Sequence, residues 1–436
     1  MMSSRLPRYV EQLNQKHAVV MVNGRCVILN EEVNPSRNRK EISLSSATDF
    51  HLRYANQKIS IPGTDKKISV VSGWLAHPQR RQFEGLTFAP GQDTSGYYNL
   101  WTGFAVHPKP GTCDLYLQHL RDNVSQGNDE IFRYIINWMA QTVQFPSDRP
   151  GVSIVMRGKQ GTGKGVACTE FGQLWGPHFV PIHHGKHLTG QFNAHIAQAV
   201  VVFADEAFWA GDRAAEGALK ALITEEEIPI EYKGKDVFYV KNHIRLLMAS
   251  NHSWVVPAGL EDRRFFVLDV GEKHMQDHNY FAAIEKEMSQ GGREALLHHL
   301  MNVNLKGVNL RIYPQTNALM ENKLLTMMPV EKFWYEKLMA GSLDETEDLW
   351  QVLIPRAQLQ AHYLSFAKAA GVSRRSTHTE LGMGLRKLCP GMQSCYRTFN
   401  GKRVGIYEFP NLSMCREAFD QIIKYKHQWP KESMAL

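Results

Sequence analysis

The chain has 436 residues and a formal net charge of +7. This length allows two or three domains with sizeable cores, and apolar and charged fractions of 43% and 21% exclude a largely disordered or fibrous protein. No apolar run reaches the ~18 residues that span a bilayer, so we expect a soluble, intracellular protein without membrane contact.

The chain divides into five segments by its local patterns. Residues 1–112 mix short alternating stretches with Gly, Pro and aromatic residues, which predicts irregular β structure. Residues 113–150 show a helical period with a break at Gly127-Asn128. Residues 151–272 alternate short apolar strands, predicted at 152–156, 199–204, 244–249 and 265–270, with helical segments, a pattern typical of a parallel sheet under helices.

Helical patterns continue in residues 273–343, including one long segment at 316–339. Residues 344–436 contain two predicted helices followed by a hairpin that turns at Asn400-Gly401, and this order suggests a winged helix-turn-helix. The predicted fold class is therefore α/β, with a mixed β/helical region before the sheet and a winged-helix-like domain after it.

Positive charge is concentrated near the C-terminus. Residues 355–409 hold nine Lys or Arg against two acids, so this segment accounts for the whole net charge. A basic segment on a neutral body indicates a polyanionic partner, most simply nucleic acid. Arg374 and Arg375 are either an ordinary solvated pair or phosphate contacts, and the local charge favours the second interpretation.

The strongest motif follows the first predicted strand of the sheet. Its glycines let backbone N–H groups surround phosphate oxygens, the following helix N-terminus favours negative charge, and its lysine can reach the β- and γ-phosphates. The predicted nucleotide-binding residues are Gly158, Gly161, Thr162, Gly163, Lys164 and Gly165. Gly165 stands where a Ser or Thr normally binds Mg²⁺, so either carboxylates and waters hold the metal or Thr162 substitutes.

Polar residues follow the later strands. Asp205 and Glu206 end the second predicted strand, which places Asp205 beside Mg²⁺ and lets Glu206 polarise the attacking water, unless the pair only caps a helix. Asn251 ends the next predicted strand and can reach the γ-phosphate or the water. Arg263 and Arg264 follow on a loop, as a solvated corner or as a charge-stabilising finger.

These motifs occur in one order within about 107 residues. In this order they resemble the superfamily 3 helicases of viruses, phages and plasmids, and more narrowly the helicase module of phage and prophage primase-helicases. The resemblance covers roughly residues 97–419 and is specific in the ATPase motifs. A primase-polymerase module, common in that family, needs far more than the ~110 residues available at the start of the chain. The chain therefore looks like the helicase part without its primase.

The resemblance implies an AAA+-like P-loop ATPase core, collar helices before it, and ATP with Mg²⁺ as cofactors. It implies a homo-oligomeric ring, most simply a hexamer, in which Arg263 or Arg264 acts on the neighbouring subunit's ATP. It also assigns Lys233 and Lys235 to a hairpin in the central channel that grips single-stranded DNA. Single-stranded and forked DNA, with a separate primase or polymerase, are the implied partners. The resemblance also implies the cytoplasm of a bacterial host cell as the location.

Two alternatives to an ATP-dependent DNA helicase stay open. A DNA-binding ATPase switch or loader would hydrolyse ATP in response to single-stranded DNA without separating strands. A non-catalytic scaffold would carry a degenerate nucleotide site, and Gly165 is the sequence feature that suggests it.

Overall fold

The structure is a computed structural model that describes residues 6–22, 24–35, 39–61, 64–190, 193–206, 213–231, 237–344, 349–399 and 402–430. The chain forms two compact units, Met1–Gly103 and Phe104–Leu436. No helix within the described ranges combines the length and the apolar character needed to cross a membrane. The finer domain boundaries given by the sequence patterns stay predictions.

In its described residues, the first unit combines small sheets with three short helices. Its elements are α1 (Arg8–Asn14), β1 (His17–Val22), β2 (Arg25–Asn34), β3 (Arg39–Ser45), α2 (Ala47–Arg53), β4 (Lys58–Ser60), β5 (Lys67–Ser69), α3 (Val70–Ala76), β6 (Gln82–Phe83), β7 (Gly85–Thr87) and β8 (Tyr97–Asn99). The main sheet has the order β3-β2-β1-β6. Val10, Phe50, Val71 and Trp74 form its core with the helices. The predicted β structure is present, but the helices were not predicted, because seven residues give less than two full periods of a helical pattern.

The second unit begins with helices and a central sheet. These elements are α4 (Asp114–Gln118), α5 (Asp129–Gln144), β9 (Ser153–Arg157), α6 (Lys164–Gln173), β10 (Phe179–Ile182), α7 (Lys186–Thr189), β11 (Val201–Asp205), α8 (Arg213–Thr224), β12 (Glu227–Ile230), β13 (Phe238–Lys241), β14 (Arg245–Ser250) and β15 (Phe265–Asp269). A short π-helical turn, His119–Val124, follows α4 directly. Asn128 caps α5 by accepting hydrogen bonds from the backbone of Glu130 and Ile131, at the break that the sequence predicted.

The central sheet has the order β10-β11-β14-β9-β15, and all its neighbouring strands run parallel. The four predicted strands are confirmed, and β10 adds a fifth at one edge. β9 and β14 are buried along their whole length, because helices cover the sheet on both faces. This burial explains why the strands appear in the sequence as nearly continuous apolar runs.

The rest of the second unit is a helical segment followed by a smaller sheet. Its elements are α9 (His278–Glu287), α10 (Arg293–Met301), α11 (Asn317–Thr326), α12 (Pro329–Ala340), β16 (Leu353–Pro355), α13 (Arg356–Ala369), α14 (His378–Leu388), β17 (Gln393–Phe399), β18 (Lys402–Glu408) and α15 (Leu412–Ile423). The predicted helix at 316–339 is two helices. Met328 has ψ 156°, as expected for a residue that precedes a proline, and Pro329 starts the second helix.

The predicted helix, helix and hairpin near the C-terminus are confirmed as α13, α14 and the antiparallel pair β17 and β18. β16 adds a third strand beside β18. Trp334 of α12 stacks on Phe409 with the ring centres 5.2 Å apart, so one core joins these elements to α12. The turn itself, at residues 400–401, lies outside the described residues.

Replacing Leu247 tests the central position of β14. Its side chain has no exposed area between two neighbouring strands, so Leu247→Ala should lower the free energy of unfolding by about 2–5 kcal/mol. Leu325→Ala on α11, where the side chain is 49% exposed, is the matched control and should cost far less. Urea denaturation of both variants measures the difference, and equal losses would contradict the burial of β14.

Candidate nucleotide-binding site

The predicted phosphate loop connects β9 to α6 at the end of the central sheet where the parallel strands have their carboxyl ends. Gly161 and Gly163 have φ values of +79° and +89°, which favour glycine. A Cβ at Gly163 would also lie 2.5 Å from Cε1 of His119. The sequence thus has glycine where the backbone conformation and a close neighbour both require it.

Lys164 is the first residue of α6 and is largely buried. Its Nζ donates to the carbonyl oxygens of Gly158 at 2.6 Å and Lys159 at 2.7 Å, and to Oδ1 of Asn251 at 2.9 Å. Burial lowers the pKa of Lys164, and the nearby carboxylates of Glu206 and Asp205 oppose that shift. The ammonium group therefore lies inside the loop, among oxygen acceptors.

Asn251 connects the lysine to an acid. β14 lies between β9 and β11, so its end lies between the phosphate loop and the end of β11. Nδ2 of Asn251 donates to Oε1 of Glu206, while Oδ1 accepts from Lys164. The structure thus brings together three of the predicted catalytic side chains, Lys164, Asn251 and Glu206.

Glu206 has an unusual backbone conformation. Its φ is +52°, a left-handed value that is uncommon for residues other than glycine, and its N–H donates to the carbonyl of Ala249 at 2.9 Å. Strained backbone held by its surroundings is concentrated at functional sites. The turn directs the exposed Glu206 side chain away from the strand and towards Asn251.

Asp205 lies at the end of β11, partly exposed. Burial raises its pKa, and His183 opposes this shift, with Nδ1 of His183 3.9 Å from Oδ2 of Asp205. His183 follows β10, the strand next to β11, which explains the contact. The sequence analysis did not predict this neighbour.

The sequence left two options for the Mg²⁺ ligand that Gly165 cannot supply, namely carboxylates with waters or the hydroxyl of Thr162. Thr162 has no exposed area, and its Oγ1 donates to the carbonyl of Lys159 at 2.9 Å, so it points into the loop. Gly165 has open space around it, since an added Cβ would meet no atom within 4 Å. The hydroxyl of Thr162 is therefore engaged inside the loop, whereas the space beside Gly165 is open.

Two side chains that the sequence analysis missed support the loop. Nδ2 of Asn123 donates to the carbonyl of Thr162 at 2.7 Å, and Nε2 of His119 lies 3.1 Å from the carbonyl of Gly163. Both residues belong to the π-helical turn, an irregularity that is common at functional sites. No local motif marks them, because each contact joins positions about forty residues apart.

Arg263 and Arg264 lie at the opposite end of the sheet, where the parallel strands begin. They precede β15, whose first residue pairs with Ser153 and whose last pairs with Arg157, next to the phosphate loop. Nη1 of Arg264 lies 3.2 Å from Oδ2 of the buried Asp262 carboxylate. Arg263 is exposed and has no hydrogen bond or ion pair with any residue in the described ranges. Both arginines line a cavity of about 740 Å³ that Arg149, Lys241 and Arg311 also line.

The predicted DNA contacts have different outcomes. Lys233 and Lys235 lie outside the described residues, but β12 and β13 on either side of them pair as an antiparallel hairpin. Tyr239 on β13 is 66% exposed. Arg374 and Arg375 are exposed in the loop before α14, and Arg374 lies 3.3 Å from Glu380, a surface pair of little energetic weight.

The molecule is a mixed α/β protein built on a parallel sheet, and solved structures share this fold. The apo structure of the NrS-1 C-terminal region aligns with a TM-score of 0.67 and 16% identity, over 92% of this chain and 98% of that one. A second apo form of the same region gives a TM-score of 0.68 and 17% identity. At these identities the likeness shows the fold alone.

A comparison of sequences also finds a protein of NrS-1. Over 138 residues the chain is 30% identical to the DNA primase-polymerase of Nitratiruptor phage NrS-1. The match covers 31% of this chain and only 19% of that relative. Residues 156–264 match a family of unknown function, DUF5906, and this stretch contains the phosphate loop, Asp205, Glu206, Asn251 and both arginines.

The contact of His119 with the loop predicts a pH effect. Burial lowers the pKa of His119 to about 4, whereas the unfolded chain titrates near 6.5, so only the unfolded state gains this proton between those values. Stability is therefore lost as pH falls through this window. His119→Gln should lose less unfolding free energy than the wild type between about pH 7.5 and pH 5, by roughly 1.4 kcal/mol for each pH unit below 6.5, or about 2 kcal/mol. Identical losses in urea denaturation would show that His119 is not buried in its neutral form.

Proposed function

We propose that the chain is an ATP hydrolase that acts on DNA, a superfamily 3 type helicase in the replication of a phage or mobile element. The observation that carries this proposal is the link from Lys164 through Asn251 to Glu206 at the carboxyl edge of the parallel sheet. It puts a cation, a polar amide and a carboxylate at the end of a loop that suits phosphate. The phage DNA primase-polymerase as a relative supports the replication context.

The site residues divide the work of hydrolysis. Loop amides and Lys164 hold the triphosphate, whose oxygens replace the carbonyl and amide partners that Lys164 has in the structure. Glu206 orients and polarises the attacking water, and Asn251 contacts the γ-phosphate. Because Asn251 bonds to both Lys164 and Glu206, it can relay the presence of the phosphate from one to the other.

The residues present fit a magnesium ion. Asp205 offers a partly exposed carboxylate oxygen, the kind of ligand that Mg²⁺ prefers, and the open space at Gly165 leaves room for water ligands. Mg²⁺ would neutralise charge on the β- and γ-phosphates. The raised pKa of Asp205 fits a carboxylate that a cation would stabilise in its charged form.

The sheet order and the arginine positions support an AAA+-like core that works as a ring. Arg263 lies at the edge of the sheet opposite its own phosphate loop, so it can contribute to hydrolysis only at a neighbouring subunit's site. The exposed Arg263, rather than the Asp262-bound Arg264, is the finger in this proposal. A hexamer is the assembly we propose, with Lys233 and Lys235 in its channel.

The elements after residue 344 support a DNA-binding role. α13, α14 and the β17–β18 hairpin have the order of a winged helix, and they hold the basic segment with Arg374 and Arg375. Single-stranded and forked DNA are the proposed substrates. A separate primase or polymerase is the proposed partner.

Gly165 favours a second candidate, a scaffold with a nucleotide site that binds without turnover. A strand-displacement assay on a forked duplex, with and without ATP, separates the candidates. ATP-dependent displacement supports the helicase, and DNA-stimulated hydrolysis without displacement supports a switch or loader. An absence of hydrolysis with Mg²⁺ and DNA supports the scaffold.

Substitutions of Lys164 and Glu206, the two residues bonded to Asn251, should have different effects on ATP binding and hydrolysis. Lys164→Ala should abolish hydrolysis and weaken ATP binding, because the loop loses its cation. Glu206→Gln keeps a hydrogen-bonding group beside Asn251 but loses the charge, so it should bind ATP and turn it over at least ~100-fold more slowly. Nucleotide binding and phosphate release measure the two effects. Wild-type turnover by Glu206→Gln would exclude Glu206 as the water-orienting acid.

The finger proposal predicts an effect on mixed assemblies. Arg263→Ala should keep the fold and ATP binding of its own subunit, because the side chain is exposed and distant from the loop, yet inactivate rings shared with wild type. Arg264→Ala is the comparison, and it should lower stability by leaving the buried Asp262 without its arginine. ATPase activity is measured against the mutant fraction. A linear decrease for Arg263→Ala would contradict the inactivation of shared rings.

A further inference from the structure

The loop that carries Arg263 is a turn that an aspartate side chain closes. Oδ1 of Asp262 accepts a hydrogen bond from the backbone N–H of Arg264 at 2.8 Å, so Arg263 is the residue that this bond encloses. Oδ2 of the same carboxylate lies 3.2 Å from Nη1 of Arg264. Aspartate side chains commonly close turns by bonding to the backbone two residues ahead. We call residues 259–264 the arginine turn.

Further hydrogen bonds hold the backbone of the arginine turn on both sides of the enclosed residue. The N–H of Asp262 donates to the carbonyl of Gly259 at 3.0 Å, and the hydroxyl of Tyr313 donates to the carbonyl of Asp262 at 3.3 Å. The carbonyl of Arg264 accepts from the N–H of Ser153 on β9 at 2.7 Å. The backbone is therefore fixed around an arginine whose own side chain is exposed.

Leu260 attaches the arginine turn to the C-terminal elements. Its side chain is 5% exposed and belongs to the same core as Met320 of α11, Phe333 of α12 and Leu388 of α14. The other five residues of the turn are two acids, two arginines and a glycine, so Leu260 is its only large apolar side chain. The place of the turn therefore depends on these helices.

The Asp262 carboxylate also interacts with lysines of two helices. Its side chain is 5% exposed, and Oδ2 lies 3.9 Å from Nζ of Lys220 on α8. Burial lowers the pKa of Lys323 on α11 to about 8, and the charge of Asp262 opposes that shift. Nζ of Lys323 donates to the carbonyl of Ile423, the last residue of α15, at 2.9 Å. The carboxylate thus links the turn electrostatically to α8 and α11.

The other contacts between the arginine turn and the C-terminal elements are weaker. Nζ of Lys387 on α14 lies 3.5 Å from Oε1 of Glu261, and both side chains are 64% exposed, so this ion pair adds little energy. A cavity of about 370 Å³ is lined by Leu260 and Asp262 and by side chains of α12, α14 and α15. Leu260 and Asp262 therefore hold the turn beside a space that is not filled by protein atoms.

We propose that Asp262 and Leu260 are positioning residues for Arg263, because Asp262 shapes the arginine turn and Leu260 fixes the turn to the C-terminal elements. The proposal rests on the proposed function, in which Arg263 acts on a neighbouring subunit's ATP. A group that stabilises charge in a transition state loses much of its effect when it is displaced by about 1 Å. Both residues act through the arginine, so they affect turnover and leave the affinity of their own subunit for ATP unchanged.

The test compares variants of two neighbouring acids by ATP hydrolysis of the full chain at several ATP concentrations. Asp262→Ala removes the acceptor for the Arg264 N–H and should lower kcat about tenfold, with KM for ATP changed less than about twofold. Asp262→Asn loses the charge but keeps Oδ1, so its kcat should stay within about threefold of the wild type. Glu261→Gln is the control and should keep the wild-type kcat. Equal losses of kcat in the Ala and Asn variants would overturn the proposal, as would no loss in Asp262→Ala.

Leu260 tests the attachment of the turn. Leu260→Ala should lower kcat as Asp262→Ala does, whereas Leu260→Met keeps the apolar volume and should keep the wild-type kcat. Each Ala variant is also mixed with Lys164→Ala, whose arginine turn is intact but whose phosphate loop lacks its cation. Mixed rings should regain activity, because sites with an intact loop then receive a correctly placed Arg263. Mixtures no more active than the separate variants would place the defect in the variant's own site and overturn the proposal.

Hydrogen exchange separates failure of this proposal from failure of the proposed function. The N–H of Arg264 should be protected in the wild type and in Asp262→Asn, and should exchange roughly tenfold faster in Asp262→Ala, whether or not ATP is hydrolysed. Equal exchange in the three proteins would overturn the role of Asp262 in the turn. A wild-type chain that protects this N–H but does not hydrolyse ATP would contradict the proposed function and leave the turn standing.

Discussion

The parallel direction of the central strands is the constraint on which the candidate site depends. Because β9, β11 and β14 all run the same way, their carboxyl ends meet at one edge and bring together Lys164, Glu206 and Asn251 from distant parts of the sequence. The order of the strands matters equally. With β14 between the other two, one amide side chain can bond to the lysine on one side and the acid on the other.

The same constraint separates Arg263 from this cluster. A residue that precedes a parallel strand lies at the edge opposite the residues that follow its neighbours, so Arg263 and Lys164 are at the two edges of one sheet. A single chain therefore carries the predicted phosphate loop at one end of the sheet and Arg263 at the other. The ring proposed above depends on this separation, because head-to-tail contacts between identical subunits join unlike surfaces.

Much of the second unit could be predicted from sequence because its strands are buried on both faces and its phosphate loop is continuous. The break before Pro329 was not predicted, although proline disfavours a helical residue before it, because the apolar period continues on both sides of the break. His119 and Asn123 could not be predicted, because their value comes from contacts across the fold with Gly163 and Thr162. The proposed roles of the site residues stay predictions.

The open space at Gly165 has a consequence for how such loops are recognised. An added Cβ would meet nothing there, so no packing pressure selects the residue that follows the lysine. A search pattern that requires a Ser or Thr at position 165 would miss this chain. The glycine conformations, the buried lysine and the helix that follows are nevertheless all present. Strand, loop and helix in sequence are therefore a more faithful signature of this architecture than its last side chain.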